Sequence, residues 1–160
     1  MALRLVERGV RVVQVYFGPG QPWDSHYDIM AHKKLAREAD PAMASLLADL
    51  KGRGLLDETL VIAVGEFGRT PKINKGVGRD HWPRVSFALL GGGSSNHGQV
   101  IGATDRLAGE PVARPVKFSE LFATLYNHLG LDVSTATVDD FQGRPHYLGA
   151  DGAAPIRELL

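Results

Sequence analysis

Thr59-Leu60-Val61-Ile62-Ala63-Val64 carries no charge and is rich in β-branched residues, a pattern that predicts a buried β-strand. An earlier run, Arg11-Val12-Val13-Gln14-Val15-Tyr16-Phe17, has the same character and predicts another buried strand. Between the two runs, apolar residues at helical spacing predict a helix that begins at Asp40 and ends at Gly52 or Gly54. Strand, helix and strand in this order predict a βαβ unit, in which the strands are parallel and the crossover is right-handed.

The later part of the chain continues the α/β pattern. Val85-Ser86-Phe87-Ala88-Leu89-Leu90 predicts a third strand, and Gln99-Val100-Ile101-Gly102 a short additional one. Residues 119–129 are predicted to form a helix that Gly130 terminates, and the tail from 131 is predicted to be irregular. A doubly wound sheet contains more strong strands than these three, so the sheet is predicted to be incomplete.

Length and composition restrict the class of protein. A chain of 160 residues is long enough for one domain, residues 1–160, and 44% apolar with 22% charged residues is ordinary for a globular protein. The 18 basic and 18 acidic residues cancel, so no basic field indicates nucleic acid. No apolar stretch reaches the roughly 20 residues of a membrane span, and residues 1–8 lack the apolar centre of a signal peptide. The absence of cysteine excludes disulfides and thiolate metal sites.

Three polar clusters beside the apolar runs contain the carboxylates and histidines that bind divalent metals. The clusters are Trp23-Asp24-Ser25-His26, Gly65-Glu66-Phe67-Gly68-Arg69-Thr70-Pro71 and Gly78-Arg79-Asp80-His81-Trp82-Pro83. Because the loops after parallel strands open at one edge of a sheet, the clusters are expected to converge. A hydrolytic metal site is therefore the leading hypothesis.

Asp24 and His26 are two residues apart on a loop after a predicted strand, where both can reach one cation. The alternative is a turn, in which Asp24 caps a backbone N–H and His26 is solvated.

Glu66 directly follows the second predicted strand, a position that suits a metal ligand or a general base. The alternative is an i,i+3 ion pair between Glu66 and Arg69. Arg69 and Lys72 add positive charge to this loop, which suits an anionic substrate.

Asp80 and His81 are adjacent in a predicted extended loop, where neighbouring side chains point apart. They can serve neighbouring metals, or one can bind the metal while the other supports a ligand from behind. The alternative is a loop anchored by Trp82, with His81 hydrogen-bonded to backbone.

Taken together, the motifs resemble the C-terminal half of a sulfatase-like family, the domain of unknown function 1501, in the alkaline phosphatase superfamily. The resemblance spans residues 2–148. Besides the three clusters, it rests on Arg53-Gly54-Leu55-Leu56-Asp57-Glu58-Thr59-Leu60-Val61, Gly102-Ala103-Thr104-Asp105 and Gly143-Arg144-Pro145.

The resemblance implies a three-layer α/β/α sandwich with a mostly parallel sheet and a site for one or two metals. It implies that Asp24 and His26 form one ligand group and that His81, with Asp80, forms the last one. Glu66 stands where the superfamily often has an Asp-His pair, with Phe67 in place of the histidine. It further implies a sulfate or phosphate contact for Arg69 and a nucleophile in the N-terminal half of the family.

The resemblance therefore favours a metal-binding C-terminal part of a sulfatase- or phosphatase-like hydrolase, inactive alone because the nucleophile lies elsewhere. The expected cofactor is a divalent zinc, manganese, calcium or iron ion, and the expected substrate is a small-molecule or glycan ester. A separate N-terminal half or a second copy of the chain is the expected partner, and export is expected for the full-length protein. The alternative is a non-catalytic module that binds a glycan, an anion or a partner protein.

Overall fold

A computed structural model describes residues 1–18, 20–149 and 152–160. The helices are α1 (Ala2–Val6), α2 (Ala31–Gly52) and α3 (Phe118–His128), and a 3₁₀ turn covers Arg157–Leu159. The strands are β1 (Val61–Val64), β2 (Gly68–Arg69), β3 (His81–Trp82), β4 (Ala88–Gly91), β5 (Ala103–Thr104), β6 (Pro111–Ala113), β7 (Thr137–Asp139) and β8 (Pro145–Tyr147). Within the described ranges, no helix combines the length and the apolar character that a bilayer span requires.

The predicted mostly parallel sheet and three-layer α/β/α sandwich are wrong. In the described part of the chain the strands form four separate two-stranded sheets, β1 with β4, β2 with β3, β5 with β6 and β7 with β8, and every pair is antiparallel. The fold is a mixture of helices and short antiparallel ladders, with no parallel pair among the described strands.

The connection between β1 and β4 explains their direction. Their register joins Val61 to Gly91 and Val64 to Ala88. A parallel pair needs a crossover that carries the chain back to the starting edge, usually a helix. Here the intervening segment is occupied by the β2–β3 hairpin, so the chain returns alongside β1 in the opposite direction.

The strand predicted over residues 11–17 does not form. The run is without regular secondary structure, and its residues make no backbone hydrogen bond to another described residue. β-branched and aromatic side chains favour extended backbone, but a ladder also needs a partner strand, and the described structure offers none to this run. Without it, the predicted βαβ unit has no first strand.

The two long helices follow their sequence signals to different degrees. α3 agrees with its prediction to within one residue at each end, and Gly130 lies beyond it with φ +78°, the left-handed conformation favoured after a helix end. α2 begins nine residues before the predicted start, at Ala31, and contains Pro41 in its interior. Residues 31–39 consist mostly of alanine, lysine, leucine, arginine and glutamate, which are strong helix formers, so the helix extends through the predicted start at Asp40.

The predictions for residues 99–102 and for the tail from residue 131 are also wrong. The short strand predicted over residues 99–102 does not form, and the neighbouring ladder begins at Ala103. The tail predicted to be irregular contains the β7–β8 hairpin, whose turn includes Gly143 with φ +75°.

The core lies between the β1–β4 ladder, α3 and the C-terminal turn. Leu121, Ile156 and Leu159 are buried together, and a set of partly buried apolar residues packs against them: Ile62, Ala88, Leu90 and Ile101. Leu50 of α2 is also buried, at 1% exposure. The C-terminal residues therefore cover one face of the β1–β4 ladder.

Glu158 joins the C-terminal turn to Arg114 through a bidentate ion pair. Arg114 donates from Nε to Glu158 Oε1 at 2.7 Å and from its terminal NH2 to Oε2 at 3.0 Å, and Glu120 lies 2.9 Å from the same guanidinium. The hydrogen bond from Arg114 holds the pKa of Glu158 below its usual range. A carboxyl with a lowered folded-state pKa stabilises the fold above its unfolded pKa and loses that contribution as the pH falls.

We therefore expect Glu158→Gln to lower the free energy of unfolding near neutral pH, with the deficit shrinking below the ordinary glutamate pKa of about 4.3. Urea unfolding of both proteins from pH 3 to pH 7 measures the deficit. Glu38→Gln, at an exposed pair with Lys34 3.9 Å apart, is the control and should show little deficit. A deficit for Glu158→Gln that is constant over the range would contradict the assignment.

Candidate metal centre

Two segments distant in sequence supply the candidate site. Asp24 and His26 lie on the loop before α2, and Arg69 and His81 lie on the β2–β3 hairpin. Arg69 and His81 are register partners across this hairpin, so their side chains share one face. The hairpin thus presents a cation and an imidazole side by side to the loop that carries Asp24 and His26.

The tip of the hairpin, residues 71–79, packs against the loop that carries Asp24 and His26 and is hydrogen-bonded to the end of that loop. Ile29 donates its backbone N–H to the carbonyl oxygen of Val77 at 3.0 Å. Gly78 packs against the backbone of His26 so closely that a Cβ on residue 78 would lie 2.0 Å from the His26 carbonyl carbon. Only glycine allows this approach, which brings the His26 side chain up to the hairpin.

The side chains of Asp24, His26 and His81 converge on a triangle of ligand atoms. Asp24 Oδ1 lies 3.1 Å from His26 Nε2 and 2.9 Å from His81 Nε2, and the two imidazole nitrogens are 3.2 Å apart. Atoms that bind one ion at about 2.0–2.2 Å lie roughly 2.8–3.6 Å from one another at tetrahedral or octahedral angles. The spacing therefore fits three ligands of a single metal ion, and it is the one such group of three found in the described part of the chain.

Hydrogen bonding to Asp80 strengthens this reading. Asp80 Oδ1 lies 2.9 Å from His26 Nδ1, and a carboxylate can only accept, so Nδ1 carries the proton. In the neutral ring His26 Nε2 then has a lone pair, and it faces the Asp24 carboxylate oxygen at 3.1 Å. The N–H of His81 Nε2, 2.9 Å from Asp24 Oδ1 and 3.2 Å from His26 Nε2, can be shared between these two acceptors, and a metal ion can take the place of its proton. A carboxylate behind a ligand histidine is also the usual support of a metal site.

Both carboxylates are held in the ionised form that a metal requires. The hydrogen bond from His81, followed by that from Arg69, lowers the pKa of Asp24 to about 2. The hydrogen bond from His26, followed by that from Asn74, lowers the pKa of Asp80. At neutral pH the site therefore contains two negative charges beside the guanidinium of Arg69, which lies 2.5 Å from Asp24 Oδ1.

One side of the triangle remains open. The side chain of His81 is 47% exposed, whereas those of Asp24 and His26 are 29% and 32% exposed. Three protein ligands with solvent access leave positions for a water molecule or a substrate, as catalytic metal sites do.

The structure places the predicted site residues in two groups. It brings together Asp24, His26 and His81, with Asp80 behind His26 and Arg69 on Asp24. Glu66 is exposed and lies outside the ligand group, and the guanidinium of Arg69 contacts Asp24 rather than Glu66. Lys72 is exposed on the hairpin tip.

Two residues of the site had no assigned role in the sequence. The Phe67 ring packs on the imidazole of His81 with ring centroids 4.1 Å apart. Asn74 donates to Asp80 Oδ1 and to the His26 carbonyl oxygen. Phe67 acts across the β2–β3 hairpin, whereas the Asn74 bond to His26 joins segments 48 residues apart in sequence.

Comparison with known families matches the chain over residues 1–160 to the family described as "Protein of unknown function (DUF1501)". No curated protein and no solved structure matches the chain. Because the family match covers the whole sequence, the chain belongs to the DUF1501 family of proteins of unknown function.

Proposed function

We propose that this chain carries the divalent-metal site of a hydrolase acting on sulfate or phosphate esters. The observation that carries the proposal is the triangle of Asp24, His26 and His81 ligand atoms, 2.9–3.2 Å apart, with Asp80 behind His26. The sulfatase-like relationship within the alkaline phosphatase superfamily is part of the proposal and rests on the sequence motifs.

The donor set favours particular metals. Two imidazole nitrogens and one carboxylate oxygen suit zinc, manganese or iron, whereas calcium takes six to eight oxygen ligands. When bound, the ion would supply a Lewis acid that neutralises charge on an ester oxygen and lowers the pKa of a water molecule. We therefore rank zinc, manganese and iron above calcium.

Residues of this chain would bind the ion, orient a ligand and attract the anionic substrate. Asp24, His26 and His81 hold the ion, and Asp80 orients the His26 ring. Arg69 places a planar, permanently charged donor group at the edge of the triangle, where it can bind a sulfuryl or phosphoryl oxygen. Lys72, exposed on the hairpin tip, adds positive charge that attracts an anionic substrate.

A second candidate function is metal-dependent binding of an anion or glycan without turnover. This function is favoured by the hydroxyls of Ser25 and Thr70, which are the nearest possible nucleophiles in sequence but are both engaged in local hydrogen bonds. Ser25 Oγ donates to the Asp28 carbonyl oxygen at 2.7 Å, and Thr70 Oγ1 donates to the Lys72 carbonyl oxygen at 2.9 Å. Both are committed to turns, so hydrolysis requires activated water or a hydroxyl from elsewhere as the nucleophile.

The proposal is tested by metal binding followed by ester assays. The chain, stripped with chelator and dialysed, should take up one equivalent of zinc, manganese or iron by elemental mass spectrometry, and calcium more weakly. Arg69→Gln should retain the metal but bind inorganic sulfate or phosphate more weakly than the wild type, as calorimetric titration of the metal-loaded protein measures. An aryl sulfate or aryl phosphate assay of the metal-loaded chain mixed with the N-terminal half of a family member separates the two functions. Turnover supports the hydrolase, its absence selects the binding module, and no metal uptake would contradict both.

A further inference from the structure

Asn74 uses its whole side-chain amide to join the hairpin tip to the candidate metal site. Its Nδ2 donates to the His26 carbonyl oxygen at 2.9 Å and to Asp80 Oδ1 at 3.1 Å. Its Oδ1 accepts from the backbone N–H groups of Gly76 at 2.9 Å and Gly78 at 3.0 Å. The partners fix the orientation of the amide, because the opposite orientation would set donor against donor and acceptor against acceptor in all four contacts.

The two donated bonds act on His26 from two directions. Asp80 Oδ1 accepts from Asn74 and also from His26 Nδ1, so Asn74 fixes the oxygen that determines which His26 nitrogen carries the proton. The bond to the His26 carbonyl fixes the backbone from which the ring projects. The two accepted bonds meanwhile shape the turn that brings Gly78 against His26.

We propose that Asn74 is a positioning residue that, through Asp80, holds the His26 ring with Nε2 unprotonated and directed at the metal position. The proposal rests on the metal site proposed above. Asparagine suits the position because its side chain combines a two-proton donor with an acceptor, whereas aspartate lacks the donor and serine is too short to reach both sides. A ligand histidine is thus supported by a carboxylate that is itself held by an amide.

The rival explanation is that Asn74 only shapes the turn. Asn74→Ser separates the two roles, because a serine hydroxyl can still accept from a turn N–H but cannot reach Asp80. Asn74→Ala removes both roles and is the second variant. Lys75→Ala, at the exposed neighbouring residue, is the control for a general disturbance of the hairpin tip.

The first measurement concerns the metal-free protein. Long-range ¹H–¹⁵N correlation spectra, recorded where the imidazoles are neutral, report which His26 nitrogen carries the proton. In the wild type and in Lys75→Ala we expect the proton on Nδ1, and in Asn74→Ser we expect a measurable population with the proton on Nε2. An unchanged His26 proton position in Asn74→Ser would overturn the proposal, whether or not the protein binds metal.

The second measurement is zinc affinity, by competition with a chromophoric chelator, in a double-mutant cycle. Asn74→Ser should weaken zinc binding roughly 10-fold, at the lower end of the 10–100-fold range for groups behind a ligand. In the Asp80→Ala background the same substitution should weaken zinc binding by clearly less, because the part of its effect that runs through Asp80 is already lost. Effects that multiply would overturn the proposal in favour of the turn role. A wild type without affinity for zinc, manganese or iron would contradict the proposed function, while the spectra would still decide the role of Asn74.

Discussion

Asp24→Asn is expected to weaken zinc binding by more than about 100-fold. That value is the upper end of the loss for residues that support a metal ligand, and Asp24 is itself proposed as a ligand. The substitution keeps the size of the side chain but removes the one negative charge among the three ligands. Arg69, 2.5 Å from Asp24 Oδ1, would then stand beside the metal position with its charge uncompensated. The lost attraction and the uncompensated guanidinium both oppose the binding of a cation. Zinc titration by calorimetry measures the effect.

A matched control comes from another aspartate with a lowered pKa. Hydrogen bonds from the side chain and backbone of Ser134 lower the pKa of Asp132, which lies in a loop outside the site. Asp132→Asn should bind zinc as the wild type does, because asparagine also accepts turn hydrogen bonds. Wild-type zinc affinity in Asp24→Asn would remove Asp24 from the ligand group.

Gly78→Ala is expected to lower the free energy of unfolding by about 3 kcal/mol, the upper part of the usual range for inserting atoms into a packed contact. The added Cβ would lie 2.0 Å from the carbonyl carbon of His26 and 2.5 Å from the backbone nitrogen of Tyr27. Backbone atoms cannot rotate away as a side chain can, so the hairpin tip must separate from the loop. Zinc affinity should fall together with stability, since His26 lies on that loop.

Gly76→Ala provides the comparison within the same turn. A Cβ at residue 76 would meet its closest neighbour, a ring carbon of Tyr27, at 3.0 Å, and this exposed ring can move. The expected loss of stability is below about 1 kcal/mol. Urea unfolding measures both variants, and equal losses would show that the Gly78 contact is not what holds the two segments together.

Local sequence patterns predicted single elements of this fold better than their arrangement. The apolar run that ends at Val64 and the segment predicted to be helical over residues 119–129 each formed the expected element. Pairing direction was not predictable, because it depends on what the chain does between two strands, and here a hairpin replaces a crossover helix. The run at residues 11–17 shows the same limit, since a β-favouring composition does not supply a partner strand.

The candidate site shows a similar division. Residue chemistry was sufficient to group Asp24, His26 and His81 as possible ligands, because carboxylate and imidazole groups clustered beside the apolar runs. The separation of Glu66 from them was not predictable, since a strand that ends one residue earlier or later turns a neighbouring side chain to another face. Asn74 was not identified because the bond that links it to His26 spans 48 residues, whereas its other three bonds lie within the hairpin and are those of an ordinary turn.

The position of the site along the chain has a thermodynamic consequence. Asp24 and His81 are 57 residues apart, and α2 and β1 lie between them. An ion shared by the two residues would hold the ends of that long loop together in the folded state, and because the unfolded chain does not keep the ion, its binding free energy would appear as stability of the folded one. The β-sheets of this fold have only two strands each, so the stability of the segment between Asp24 and His81, about a third of the chain, would then depend on the free metal concentration.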